Sequence, residues 1–323
     1  MMRSMAGTVL RRRGRAHGPT PGPGDLCSDM APCPALLWVR LTGRPVDLRE
    51  EPWLRGPIGE ADGIGAEYFN RLARQTDQIV RVNAAGSGLT PDFDDLRAGS
   101  FDPTRVDPRI RDFYEHTADY RLDLWSYWCR CVRPFGWLMN SLFSRRLQQL
   151  NLPISPLEPS RGITSDIVQL CNIQTGEVHT TGWLRKFNVT SDVIYAGIYS
   201  TAQPPNAPGP CVKVVFPLPQ GSASVFLKPV VNEDGSLLLL SRGRRFGDPG
   251  FYLSLRRDDD RIWAKYISAM KESIHVYVDN RGDLRTDHIF RLWGCWFLKL
   301  HYSIIRRPTP PSEYGGAAAA SAR

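Results

Sequence analysis

Three of the six histidines, His275, His288 and His301, fall within 27 residues near the C-terminal end, together with Tyr277, Asp287 and Tyr302. Imidazole titrates near neutral pH and can act as general acid or base, and a tyrosine beside it can share the proton. Read with period two, Ile274, Val276 and Val278 point one way, while His275, Tyr277 and Asp279 point the other. On the returning run, Leu284, Thr286, His288, Phe290 and Leu292 share a face. The turn Asp279-Asn280-Arg281-Gly282-Asp283 joins the two runs. It sets Tyr277 opposite Leu284 or Arg285 and His275 opposite Thr286 to His288. The candidate catalytic groups are therefore His275, Tyr277 and His288, suited to acid–base, isomerisation or cyclisation chemistry on a hydrophobic substrate. The same residue types on strands more commonly fill hydrogen-bonded structural roles. Metal binding by His275 and His288 requires both on one face, which register decides, and no metal is assigned. Asp287 precedes His288 in the chain, so it points to the opposite face and cannot orient it as a triad aspartate would.

A second set of residues suits ligand binding. Arg161 enters the first strand of the C-terminal region, and the loop Ser241–Gly250 carries Arg244 and Arg245. Clustered arginines on a Gly-rich turn can seat a carboxylate or phosphate, although Asp248-Pro249-Gly250 also reads as plain turn punctuation with solvated arginines. Tyr195, Tyr199, Phe290, Trp296 and His301 supply aromatic walls for an apolar pocket. The chain contains no G-x-S-x-G, no Walker loop, no H-E-x-x-H and no G-x-G-x-x-G opening a helix, and no cofactor is assigned. The seven cysteines are scattered and odd in number, which points to free thiols in a reducing compartment. Cys211 opens an apolar strand with no base nearby and reads as a buried thiol.

These residues need a scaffold, and the region 161–305 supplies one. Short runs near 165–172, 178–187, 192–200, 211–217, 223–231, 236–242, 250–256, 261–268, 274–279 and 284–293, with a last one reaching 305, are separated by turn residues such as Gln174-Thr175-Gly176 and Glu233-Asp234-Gly235. That spacing predicts an antiparallel meander closed or half-closed into a barrel. CVKVVF and ASVFLK are apolar on both faces, as expected where one face meets a core and the other a pocket or covering helix.

Residues 47–160 read as a helical part. Tyr68, Phe69, Leu72 and Ile79 form one stripe, and Asp107-Pro108 opens a long helix running to about Val132. A second helix is expected from about 135 to 150, followed by a Pro-rich linker. Residues 1–46, rich in Arg, Gly and Pro, are expected to be a disordered or spurious leader, with translation starting at Met30 or near Val46. Residues 306–323 are expected to be a disordered tail. The expected fold is α+β: N-terminal helices packed on an antiparallel β-meander forming a barrel or strongly curved sheet, similar in shape to lipocalin barrels though without a motif of that family.

Charge narrows the partners. The net charge of +8 is concentrated at the ends, because residues 1–46 hold seven Arg against two Asp and residues 306–323 three Arg against one Glu. A near-neutral body lacks the footprint that phosphate backbones need, so nucleic acid is not expected. The apolar stretch 289–305 is interrupted by Arg291, Lys299 and His301, which argues for core rather than a membrane span. With 137–146 it also suits a membrane surface, as a lesser alternative. With no export signal in view, the expectation is a soluble cytoplasmic protein that binds a small apolar or amphipathic molecule in its β-cavity. An enzyme using that cavity, or a peripheral lipid-handling protein, are the alternatives. Oligomeric state is not legible.

Overall fold

A computed structural model describes residues 34–59, 64–129, 149, 162–188 and 192–308. Every run of the C-terminal series forms a strand: β4 (Ile163–Asn172), β5 (Val178–Phe187), β6 (Val193–Ala202), β7 (Cys211–Leu218), β8 (Gly221–Val231), β9 (Leu237–Leu240), β10 (Phe251–Arg256), β11 (Arg261–Tyr266), β12 (Met270–Val278), β13 (Leu284–Leu292) and β14 (Cys295–Arg306). Turn chemistry fixes the breaks. Gly176, Gly235 and Gly282 all take positive φ, which a residue lacking Cβ adopts without strain. In the 279–283 turn, one carboxylate oxygen of Asp279 accepts from the amides of Arg281 and Asp283.

The N-terminal half differs from expectation. The predicted long helix ends after two turns. Asp107 does cap α3 (Pro108–Glu115), accepting from the Arg109 amide at 2.9 Å, but a 3₁₀ turn follows and the chain then extends as β3 (Tyr120–Trp128). The physical reason lies in the side chains. Tyr120, Leu122, Leu124 and Ser126 are buried while Arg121, Trp125 and Tyr127 are exposed, a two-residue alternation that a sheet satisfies and a helix does not. Likewise α2 (Tyr68–Gln75) ends before Ile79, which belongs to β2 (Gln78–Val82). The predicted leader also retreats. Residues 34–46 enter regular structure as α1 (Pro34–Thr42) and β1 (Arg44–Asp47), and Val46 packs with Ile262 and Ala264. The predicted second helix of 135–150 and the remainder of the leader lie outside the described residues.

All strand pairs are antiparallel, and the main order is β2-β4-β5-β6-β7-β8-β9-β12-β13-β14-β3. At β8 the sheet forks. Its first half pairs with β10, which continues to β11 and β1, whereas its second half pairs with β9. The path is large and open, since its ends β2 and β3 are not hydrogen-bonded to each other, and the expected closure into a barrel is not part of the strand order.

Both sheet faces are covered, as the apolar strands require. On the inner face Val212, Val214, Val225 and Leu227 join Leu122, Leu124, Leu300 and α3 in one cluster. On the outer face Val215 and Leu184 pack beneath Tyr68 and Phe69 of α2. Around the fork a third cluster forms, where Trp53, Phe226 and Tyr252 meet edge to face at 5.1 to 5.4 Å.

Candidate functional site

The inner face of the sheet surrounds a cavity of about 220 Å³, to which β3, β5 to β10 and β12 to β14 all contribute side chains. Its walls are overwhelmingly aliphatic and aromatic, so each polar group that enters it needs an explanation. The polar groups are Arg185, Glu272, Thr286, His288 and the hydroxyls of Tyr114, Tyr195, Tyr199 and Tyr302.

Arg185 is fully buried. On β5 it follows Trp183 by two residues and therefore shares its face, and across the ladder it stands opposite Tyr195. Its guanidinium lies 5.4 Å from the Trp183 ring, 5.4 Å from Tyr302 and 6.0 Å from Tyr195, within the range of cation–π attraction. Burial raises the pKa of Tyr195 and Tyr302, and the positive charge of Arg185 opposes that rise in both. Tyr199, beside Tyr195, is pushed well above its ordinary value, chiefly by burial. These phenols stay protonated and act as neutral hydrogen-bonding groups. Among the described residues Arg185 Nε and Nη2 have no hydrogen-bond partner and Arg185 forms no ion pair, while hydrogen bonding between Arg185 and the hydroxyls of Tyr195 and Tyr302 also works to lower their pKa.

On β12 and β13, Glu272 stands opposite Phe290 and Ile274 opposite His288, so Glu272 and His288 are diagonal neighbours on the cavity face. Their side chains meet at 3.0 Å, Nε2 to Oε2, and both are largely buried. A carboxylate holding an imidazole in this way fixes its orientation and tautomer, the arrangement a general base requires.

The predicted groups are therefore divided between two faces. His288, Tyr195, Tyr199 and Phe290 line the cavity. His275 and Tyr277 point away from it: His275 Nε2 meets Ser236 Oγ at 3.0 Å, and its ring stacks on Tyr277 at 4.9 Å. The register separates them from His288, because His275 pairs with Asp287 and Tyr277 with Arg285. His301 also lies outside, bound through Nδ1 to Asp287 at 2.7 Å. Asp287 thus orients His301, not His288. Trp296 is partly exposed under the Lys299 ammonium, 4.6 Å from its ring. Arg244 and Arg245 donate backbone amides to Asp248 at 2.8 and 3.1 Å, a turn-closing arrangement, and neither lines the cavity. Arg161 lies outside the described residues. Arg185 and Glu272 were not singled out by the sequence reading. No local signal marked Arg185, which follows Trp183 by two residues in a strand that also carries His179, Thr180, Thr181 and Lys186.

The class defined by these features is an open antiparallel sheet curled around a mainly apolar cavity. No family model matches the chain, and no solved structure matches it. It is similar to the uncharacterised membrane protein YndJ of Bacillus subtilis (strain 168), with 32% identity over 280 residues. That alignment covers 86% of this chain and 48% of the relative, so the chain spans about half the length of the curated protein it matches. The finding overturns the expectation of a soluble, cytoplasmic protein. Among the described residues no helix is long and apolar enough to cross a membrane, which leaves crossing by strands unaddressed.

Proposed function

We propose that the chain binds a small hydrophobic or amphipathic molecule within the curled sheet, which acts as a barrel-like cup. The supporting observation is the cavity itself: about 220 Å³, with inward side chains from both arms of the sheet and only a few polar groups placed among them. Ligand sites have this character, with apolar walls for affinity and sparse polar groups for orientation. The test is native mass spectrometry of the full chain with a denatured control. A bound mass released on denaturation is expected. A clean polypeptide mass, with no uptake of neutral apolar probes, overturns the reading.

A second reading is favoured by a separate feature. Trp125, Tyr127, Trp293 and Trp296 are exposed on or beside β3 and β14, with Lys299 among them, and rings combined with basic groups suit the lipid headgroup region. The relative's description as a membrane protein accords with it. In this reading the cavity's ligand is drawn from a bilayer. Flotation with anionic vesicles is expected to carry the chain, and Trp125→Ala with Trp296→Ala to reduce that recovery; no flotation removes the reading.

A further inference from the structure

Resting on the cavity reading, we infer that Arg185 is an anion anchor and that the ligand is an amphipathic monocarboxylate, with its acid group against Arg185 and its apolar body along the aliphatic wall. A guanidinium remains charged at any physiological pH, and burying it without compensation is strongly unfavourable. The three rings around Arg185 and its hydrogen bonding to the Tyr195 and Tyr302 hydroxyls offset only part of that cost. The two unpartnered nitrogens, Nε and Nη2, are not scattered around the group. Their N–H bonds point the same way along one edge of the planar fork, the edge that grips a carboxylate through two parallel hydrogen bonds. Arg185 is fully buried, belongs to the cavity lining and leaves that edge without a partner, which an acid group would supply.

The surroundings narrow the anion. Among the described lining residues Arg185 is the only Lys or Arg, and Glu272 lines the same cavity. A dianionic phosphate would set two charges against one cation in a cavity that already holds a carboxylate. A monocarboxylate balances Arg185 alone. The polar rim is completed by Tyr195 and Tyr302, whose hydroxyls can donate to an acid oxygen. Beyond them Val212, Val214, Val225, Leu227, Leu239 and Leu300 offer only apolar contact, which suits an alkyl or isoprenoid body.

The experiment is isothermal titration of the full chain with dodecanoic acid, dodecan-1-ol and dodecyl phosphate. The acid is expected to bind on the order of 10- to 100-fold more tightly than the alcohol, as a charge-assisted bidentate pair implies. Arg185→Gln is expected to remove that advantage while leaving the alcohol unchanged, and Arg185→Lys to restore only part of it. Equal binding of acid and alcohol overturns the anchor and leaves the cavity reading standing. Tighter binding of the phosphate overturns the monocarboxylate assignment. Binding of none of the three overturns both readings. The comparison of ligands on the unaltered chain decides the matter even if the Arg185 variants do not fold.

Discussion

Lys213 offers a quantitative check on the packing outside the cavity. It sits on β7 between Ser200 and Phe226, with its side chain buried on the outer face. Its ammonium donates to the carbonyls of Trp53, at 2.8 Å, and Arg55, tying the segment 52–55 onto the sheet. Among the described residues no carboxylate pairs with it, and burial lowers the Lys213 pKa from its ordinary 10.5 to about 8. Below pH 8 both folded and unfolded chains carry the proton, and the native state bears the full burial penalty. Between pH 8 and 10.5 the unfolded chain holds more protons than the native one, so stability rises with pH across that window. The whole effect is about 3 kcal/mol at about 1.4 kcal/mol per pH unit, of which about 2 kcal/mol falls between pH 8 and 10. From about pH 9 the Cys211 thiol and the buried phenols of Tyr114, Tyr252 and Tyr302, whose pKa values burial raises, ionise first in the unfolded chain and oppose that rise. Urea denaturation followed by tryptophan fluorescence from pH 7.5 to 10 should show the parent gaining about 2 kcal/mol relative to Lys213→Met, because the other titrating groups are common to both chains. The comparison holds whatever Lys213→Met does to absolute stability. Parallel slopes in the parent and in Lys213→Met would refute the assignment.

Other outcomes follow from the same geometry. His288→Phe leaves the Glu272 carboxylate buried without its partner and is expected to cost about 3–5 kcal/mol by denaturant titration. Glu272→Gln keeps a hydrogen bond and should cost about 1 kcal/mol. Gly182→Ala would drive a methyl into the buried Phe69 ring beneath α2, with an expected loss of about 1–3 kcal/mol, recovered in part by Phe69→Leu. Burial pushes the Cys211 thiol up to about 12, so at pH 8 a thiol-reactive dye should label exposed Cys295 quickly and Cys211 only after denaturation, as read by peptide mass mapping.

Much of the sheet was legible because turns and strands leave local marks. The turn at 279–283 marked the β12–β13 hairpin but left His275 opposite any of Thr286 to His288; the observed pairing of His275 with Asp287 is what puts Val276 and His288 on one face and His275 on the other. Two things were hidden. Tyr120–Trp128 carries large apolar groups at both two- and four-residue spacings, and only its pairing with β14, far along the chain, selects the extended form. Arg185 looks like any solvated strand arginine until Tyr195 and Tyr302 are brought around it from β6 and β14, and nothing local to Trp183-Leu184-Arg185 encodes that encounter.

The pairing of β3 with β14 has a consequence for biosynthesis. Trp128 meets Leu298, some 170 residues later in the chain. At roughly 5–20 residues per second, a ribosome needs on the order of ten to thirty seconds to deliver the partner. Throughout that interval Leu122, Leu124 and Trp125 lie on a strand whose partner among the described residues, β14, has not yet been made. The nascent chain is thus exposed to misassociation at a defined place and for a defined time. Loss of the C-terminal strand, rather than any change to β3 itself, would make that exposure permanent.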